Sequence, residues 1–129
     1  MKTISISTLN AMKENDEKFA VLTAYDYTFS RLIESSSIEV SLVGDSLGNV
    51  IQGCDSTIPV TVDEMAYHTA AVKRGNKRSL LVSDMPFMSY STEVNALDNA
   101  AVIMQAGAQM VKLEGGEWLA DTVYLLNER

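Results

Sequence analysis

Three apolar runs in this chain stop at an acid. Glu39-Val-Ser-Leu-Val-Gly-Asp-Ser-Leu-Gly48 gives out at Asp45 and Ser46, Ser79-Leu-Leu-Val-Ser-Asp84 at Asp84, and Met110-Val-Lys-Leu-Glu-Gly-Gly116 at Glu114. A fourth run, starting at Lys18, ends at Asp26. Each reads as a buried strand that delivers a carboxylate into a loop. If Asp45, Asp84 and Glu114 meet, their mutual repulsion raises their pKa values unless a cation neutralises them. Oxygen donors with no histidine or cysteine beside them suit a hard divalent ion, Mg2+, which keeps waters or substrate oxygens among its ligands. The competing reading for each aspartate taken singly is a cap on the following helix; for the set it is weaker. Lys112 adds a constraint. Strand side chains alternate, so positions 110, 112 and 114 share a face and Val111 and Leu113 point the other way. An ammonium on the inner face needs an anion. Two partners are open to it: a substrate carboxylate beside the metal, or a carboxylate of the rim itself.

The elements that must position these groups follow from the hydrophobic pattern. A short polar helix is expected around Thr8 to Glu17, then a strand over Lys18 to Asp26 and a helix carrying Phe29, Leu32 and Ile33. Ser35-Ser36-Ser37 ends that helix. The second strand runs from Glu39 to Gly44, followed by a long Gly-, Ser-, Thr- and Pro-rich loop from Asp45 to Thr61. Thr61 and Glu64 have capping-box spacing, so a helix starts at Val62, turns Met65, Thr69 and Val72 inward, and stops at Gly75 as a left-handed residue. The third strand is Ser79 to Ser83, closed off by Pro86. Ser91 or Thr92 caps a helix with Ala96, Leu97, Ala100, Ala101 and Met104 on one face and Gly107 as its stop. Ala108 to Glu114 is the fourth strand, and Glu117 to about Arg129 a last helix. Strand followed by helix, four times over, predicts an α/β fold with a parallel sheet. In such sheets the strand C-termini share one rim, where sites are built. Four units are half of a (β/α)8 TIM barrel. The 129 residues are therefore expected to be a single domain, 1–129, forming the N-terminal half of such a barrel, a fragment or truncated product with exposed edges on its first and fourth strands.

Bulk properties exclude several classes. The chain has 47% hydrophobic residues and a net charge of −7, with no basic run. That argues against nucleic acid or an anionic membrane surface as partner. No apolar run is long enough to span a bilayer, and the start lacks a signal-peptide core, so a cytoplasmic location is expected. The single cysteine, Cys54, permits no intrachain disulfide. His68 reads as a packing or capping histidine, and Trp118 as packing against the body of the fold.

Several consecutive motifs go further. Val43-Gly-Asp-Ser-Leu-Gly48, Gly53-Cys-Asp-Ser-Thr-Ile-Pro-Val-Thr61, Tyr67-His-Thr-Ala-Ala-Val72, Asp84-Met-Pro-Phe87 and Val111-Lys-Leu-Glu-Gly-Gly116 together closely resemble the ketopantoate hydroxymethyltransferase family, in its order and spacing. The resemblance implies a Mg2+-dependent transferase of pantothenate biosynthesis. Such an enzyme moves a hydroxymethyl group from 5,10-methylenetetrahydrofolate to 3-methyl-2-oxobutanoate and commonly assembles as a homo-oligomeric decamer. It implies metal-site roles for Asp45, Asp84 and Glu114, and 2-oxo acid contacts from Ser46 and Lys112 together with Asp45 and Asp84. The family's general base is a glutamate expected beyond Arg129, so no catalytic base is assigned within the chain. Two alternatives stand beside this reading: another Mg2+-dependent barrel that makes or breaks C–C bonds in 2-oxo acids, and a non-catalytic half-barrel.

Overall fold

The structure, a computed structural model, describes residues 3–129. Its elements are α1 (Ile6–Glu14), β1 (Val21–Thr23), α2 (Tyr27–Ser35), β2 (Val40–Val43), α3 (Leu47–Val50), α4 (Val62–Gly75), β3 (Leu80–Asp84), α5 (Glu93–Gln105), β4 (Met110–Lys112), a 3-10 turn (Glu117–Leu119) and α6 (Ala120–Glu128). The strands form one sheet in the order β1-β2-β3-β4, all neighbours parallel. Parallel neighbours require a crossover. Helices α2, α4 and α5 supply the three crossovers, as the alternation of strand and helix patterns predicts.

Alternation along each strand divides the sheet into two faces. Val43, Leu81, Val111 and Leu113 pack outward against Met65 and Val72 of α4 and Ala96, Ala100 and Ile103 of α5. Burying a side chain such as Leu81 in that layer stabilises the fold by roughly 1.5–3 kcal/mol. The inner face carries Val40, Leu42, Leu80, Val82 and Met110, packed under Ile4 and Leu9. The Ile4 N–H donates to the Arg78 carbonyl at 2.8 Å, just ahead of β3. Helix α1 therefore covers the N-terminal end of the inner face, and the C-terminal end stays open. Polar side chains within the helix-facing layer are paired, Ser83 with Thr69 at 2.9 Å and Ser41 with Ser79 at 2.7 Å, as buried hydroxyls must be.

The capping predictions hold. Thr61 accepts from the Glu64 N–H while the Glu64 carboxylate accepts from the Thr61 N–H at 2.8 Å, and Thr92 caps α5 through the Asn95 N–H. Gly107 takes a left-handed φ of 120° as a helix stop. Gly75 does not. It is the last residue of α4, without a positive φ, and a Cβ there would lie 2.8 Å from the Ser30 side chain. Its glycine lets α4 approach α2, which local sequence cannot reveal. The region from Asp45 to Thr61 is also less loop-like than expected, because Leu47 is fully buried and pins the short α3. The strands are shorter than their apolar runs. In β1 only Val21 to Thr23 pair, and as the sheet edge they remain exposed, with Val21 49% and Leu22 48% accessible. At the other edge an apolar cleft of about 530 Å³ runs beside β4, lined by Leu97, Ala101, Met104, Val111, Val123 and Leu126.

Candidate active site

The register of the sheet sets the site. Val43 of β2 is level with Ser83 of β3, and Asp84 is level with Lys112 of β4. One residue past β2 the layer therefore contains Gly44, Asp84 and Lys112 at the open, C-terminal end of the inner face. Asp84 is only 6% exposed. Its two oxygens are used differently. Oδ2 accepts the Asp45 backbone N–H at 3.0 Å, and Oδ1 faces Lys112 Nζ at 2.9 Å, an ionic approach without the alignment of a hydrogen bond. The ammonium also donates to Glu114 Oε1 at 2.7 Å. Lys112 thus bridges a buried acid and an exposed one.

The electrostatics follow from this packing. Burial and the adjacent Asp84 charge raise the Asp45 carboxyl above the usual carboxylate range. Lys112 opposes the rise, Glu114 adds to it, and the Thr57 hydroxyl lowers it by hydrogen bonding. Burial works against the Lys112 ammonium, but Glu114 and Asp84 outweigh it and hold its pKa above the ordinary lysine value. Glu114 is lowered by its hydrogen bond to Lys112.

Of the three expected acids, Asp45 and Asp84 are joined through the Asp45 backbone N–H, and Glu114 is joined to Asp84 through Lys112. Among the described residues no group of three acidic, histidine or cysteine side chains is gathered closely enough to enclose an ion. The residues nevertheless fit Mg2+ as an ion that takes a few carboxylate oxygens and fills its remaining positions with water or substrate. The donors are all oxygen, and Asp84, only 6% exposed, lies at the open strand ends beside Asp45. Asp26, by contrast, caps α2: its Oδ1 accepts the Phe29 N–H at 2.9 Å. The helix-cap reading holds for this aspartate.

Ser46 follows Asp45, and its Oγ lies 2.7 Å from the Tyr25 hydroxyl. Gly44 makes room for it, since a Cβ at that position would be 2.7 Å from Ser46 Oγ. Tyr25 and Thr57 were not among the residues singled out in the sequence. Tyr25 sits one residue before a more conspicuous acid, Asp26, and only the parallel register shows that it is level with Gly44. Thr57 approaches Asp45 through the fold of the loop that follows α3. His68 is tied to the segment after β1: Nδ1 lies 2.7 Å from the Tyr25 carbonyl, and a carbonyl can only accept, so this nitrogen carries the proton. Trp118 stacks on Tyr90, with centroids 6.4 Å apart, but remains 64% exposed; the packing expected of it is to one ring. Cys54 is a free thiol in the loop after α3.

Comparison with known proteins places these residues in context. The family model described as ketopantoate hydroxymethyltransferase matches residues 3–129. A 3-methyl-2-oxobutanoate hydroxymethyltransferase of Cronobacter sakazakii is 57% identical over 129 residues, which cover 100% of this chain and 49% of the relative. That of a Marinomonas species is 59% identical, with 99% and 46% covered. The chain spans about half the length of the curated relatives it matches. Among solved structures, a phosphonopyruvate hydrolase in complex with oxalate and Mg2+ superposes with a TM-score of 0.66 at 13% identity, over 80% of this chain and 36% of that one. A 2,3-dimethylmalate lyase of the PEP mutase/isocitrate lyase superfamily gives 0.62 at 15% identity, over 81% and 37%. At such identities the likeness is one of fold, and this chain covers only about a third of each of those structures. No helix among the described residues is long and apolar enough to cross a membrane.

Proposed function

Because this chain belongs to the ketopantoate hydroxymethyltransferase family, we propose that its rim is the metal and 2-oxo acid half of an active site. The reaction is addition of a hydroxymethyl group to 3-methyl-2-oxobutanoate, with 5,10-methylenetetrahydrofolate as the one-carbon donor. Asp45 and Asp84 hold Mg2+, and Glu114 is the outer acid of the same cluster. An ion held there would supply Lewis-acid chemistry to the 2-oxo acid. Lys112 neutralises the substrate carboxylate, exchanging part of its present pairing with Asp84 and Glu114 for the incoming anion. Ser46 donates a hydrogen bond to a substrate oxygen, and Asp45 and Asp84 border the same space. On this reading no residue of the chain removes the C3 proton, and the base, a glutamate, belongs to the remainder of the whole enzyme.

The observation that carries the reading is the Asp84–Lys112 pair, 2.9 Å apart at the open end of adjacent strands. An acid that is a metal ligand in waiting lies beside a cation that can accept a carboxylate. Calorimetric titration of the chain with 3-methyl-2-oxobutanoate, with and without Mg2+, tests it. Saturable binding that requires Mg2+ is expected, together with folate-dependent ketopantoate formation that is weak or absent. No 2-oxo acid binding at any Mg2+ concentration refutes the site, and robust turnover refutes the placement of the base.

A further inference from the structure

Ser46 has one hydroxyl proton, and a 2-oxo acid offers only acceptors, its carboxylate and keto oxygens. If Ser46 gives that proton to the substrate, its Oγ can take part in a further hydrogen bond only as the acceptor. The Tyr25 hydroxyl is the group in place to give it, 2.7 Å away. We propose that Tyr25 is a positioning residue for the 2-oxo acid, acting through Ser46 in the directed chain Tyr25 O–H to Ser46 Oγ, Ser46 O–H to substrate oxygen.

Without ligand either hydroxyl can donate, so the pair has no fixed sense; an acceptor ligand imposes one. The tyrosine is held for this task from two sides. Its backbone continues β1, where the Ala24 N–H donates to the Leu42 carbonyl at 3.0 Å, and its own carbonyl accepts from His68 Nδ1 at 2.7 Å. Its ring is half-buried and packs against the core cluster that includes Val43 and Leu47. Gly44, between Tyr25 and Asp84, contributes no side chain that would separate the two hydroxyls. Tyr25 makes no hydrogen bond to Asp45 or Asp84, so its effect should fall on the organic ligand and spare the metal.

The inference rests on the 2-oxo acid reading above, and one experiment separates the two. Titration of 3-methyl-2-oxobutanoate in Mg2+ is run on the wild-type chain, Tyr25→Phe, Ser46→Ala and the double variant, with Mg2+ alone titrated in parallel. Far-UV circular dichroism confirms that each is folded. Tyr25→Phe should weaken 2-oxo acid binding roughly three- to tenfold, the worth of one hydrogen bond. Its Mg2+ affinity should be unchanged, and in the Ser46→Ala background it should have no further effect. Wild-type-like binding by Tyr25→Phe, or a loss that adds to that of Ser46→Ala, overturns the role of Tyr25 while leaving the site. A wild-type chain that binds no 2-oxo acid overturns the site and Tyr25 with it.

Discussion

Replacing Lys112 by Met removes the charge from the site while keeping most of the side chain's bulk. Three carboxylates lose their shared cation, and the consequences have opposite signs. The 2-oxo acid loses a charge-assisted hydrogen bond, about 1.5–3 kcal/mol, so its affinity should fall roughly 10- to 150-fold. Mg2+ should bind more tightly, because the cation 2.9 Å from Asp84 no longer competes with it. Removing Lys112 also takes away one of the two groups that oppose the rise of Asp45, so that carboxyl should move still higher. Stability should drop only modestly. Stripping one partner from a fully buried pair costs about 3–5 kcal/mol, whereas exposed pairs contribute about 0–1. With the Lys112 side chain 38% exposed and that of Asp84 9%, a loss of about 1–2 kcal/mol is expected. Calorimetry with each ligand and urea unfolding read all three quantities. Unchanged 2-oxo acid affinity, or a parallel loss of Mg2+ and 2-oxo acid binding, would show that Lys112 serves only as a rim ion pair.

Other perturbations probe the remaining parts. Asp84→Asn should cut Mg2+ affinity while still accepting the Asp45 N–H through its amide oxygen; a metal titration indistinguishable from wild type removes Asp84 from the site. The raised Asp45 gives a pH dependence with a defined sign. The folded chain holds this proton to a higher pH than the unfolded chain, whose value is near 3.8. Its contribution to stability is therefore fully present below that value and is lost as pH rises through the folded pKa. Relative to wild type, Asp45→Asn should be more favoured at pH 7 than near the unfolded value, and a difference that does not vary with pH contradicts the assignment. Gly44→Ala should push Ser46 Oγ away from Tyr25, weakening 2-oxo acid binding with little change in Mg2+ affinity; equal loss of both would point to a wider collapse of the loop. Thr61→Ala removes a capping box and should destabilise the chain by about 0.5–2 kcal/mol in thermal unfolding, and no loss would mean that the cap is dispensable.

What the sequence settled by itself was everything that neighbouring residues encode. The alternating strand and helix patterns specified the parallel α/β order, because each strand's crossover is written in the adjacent helix. The Thr61 and Glu64 spacing fixed the start of α4, and period-2 alternation put Lys112 and Glu114 on one face. Asp45, Asp84 and Glu114 were legible one by one as acids that follow apolar runs, and consecutive motifs identified the family. Tertiary structure decided what depends on register and on contacts across the chain. It separated Asp26, a cap, from Asp84, although both follow apolar runs, and it linked Glu114 to the other acids through Lys112. It explained Gly75 by the approach of α2, and it brought Tyr25 to Ser46 across 21 residues of sequence. The physical reason is one of range. Caps, alternation and turns are satisfied within a few residues, whereas the partner of a buried carboxylate or a hydroxyl is chosen by how the strands align, which no local stretch contains.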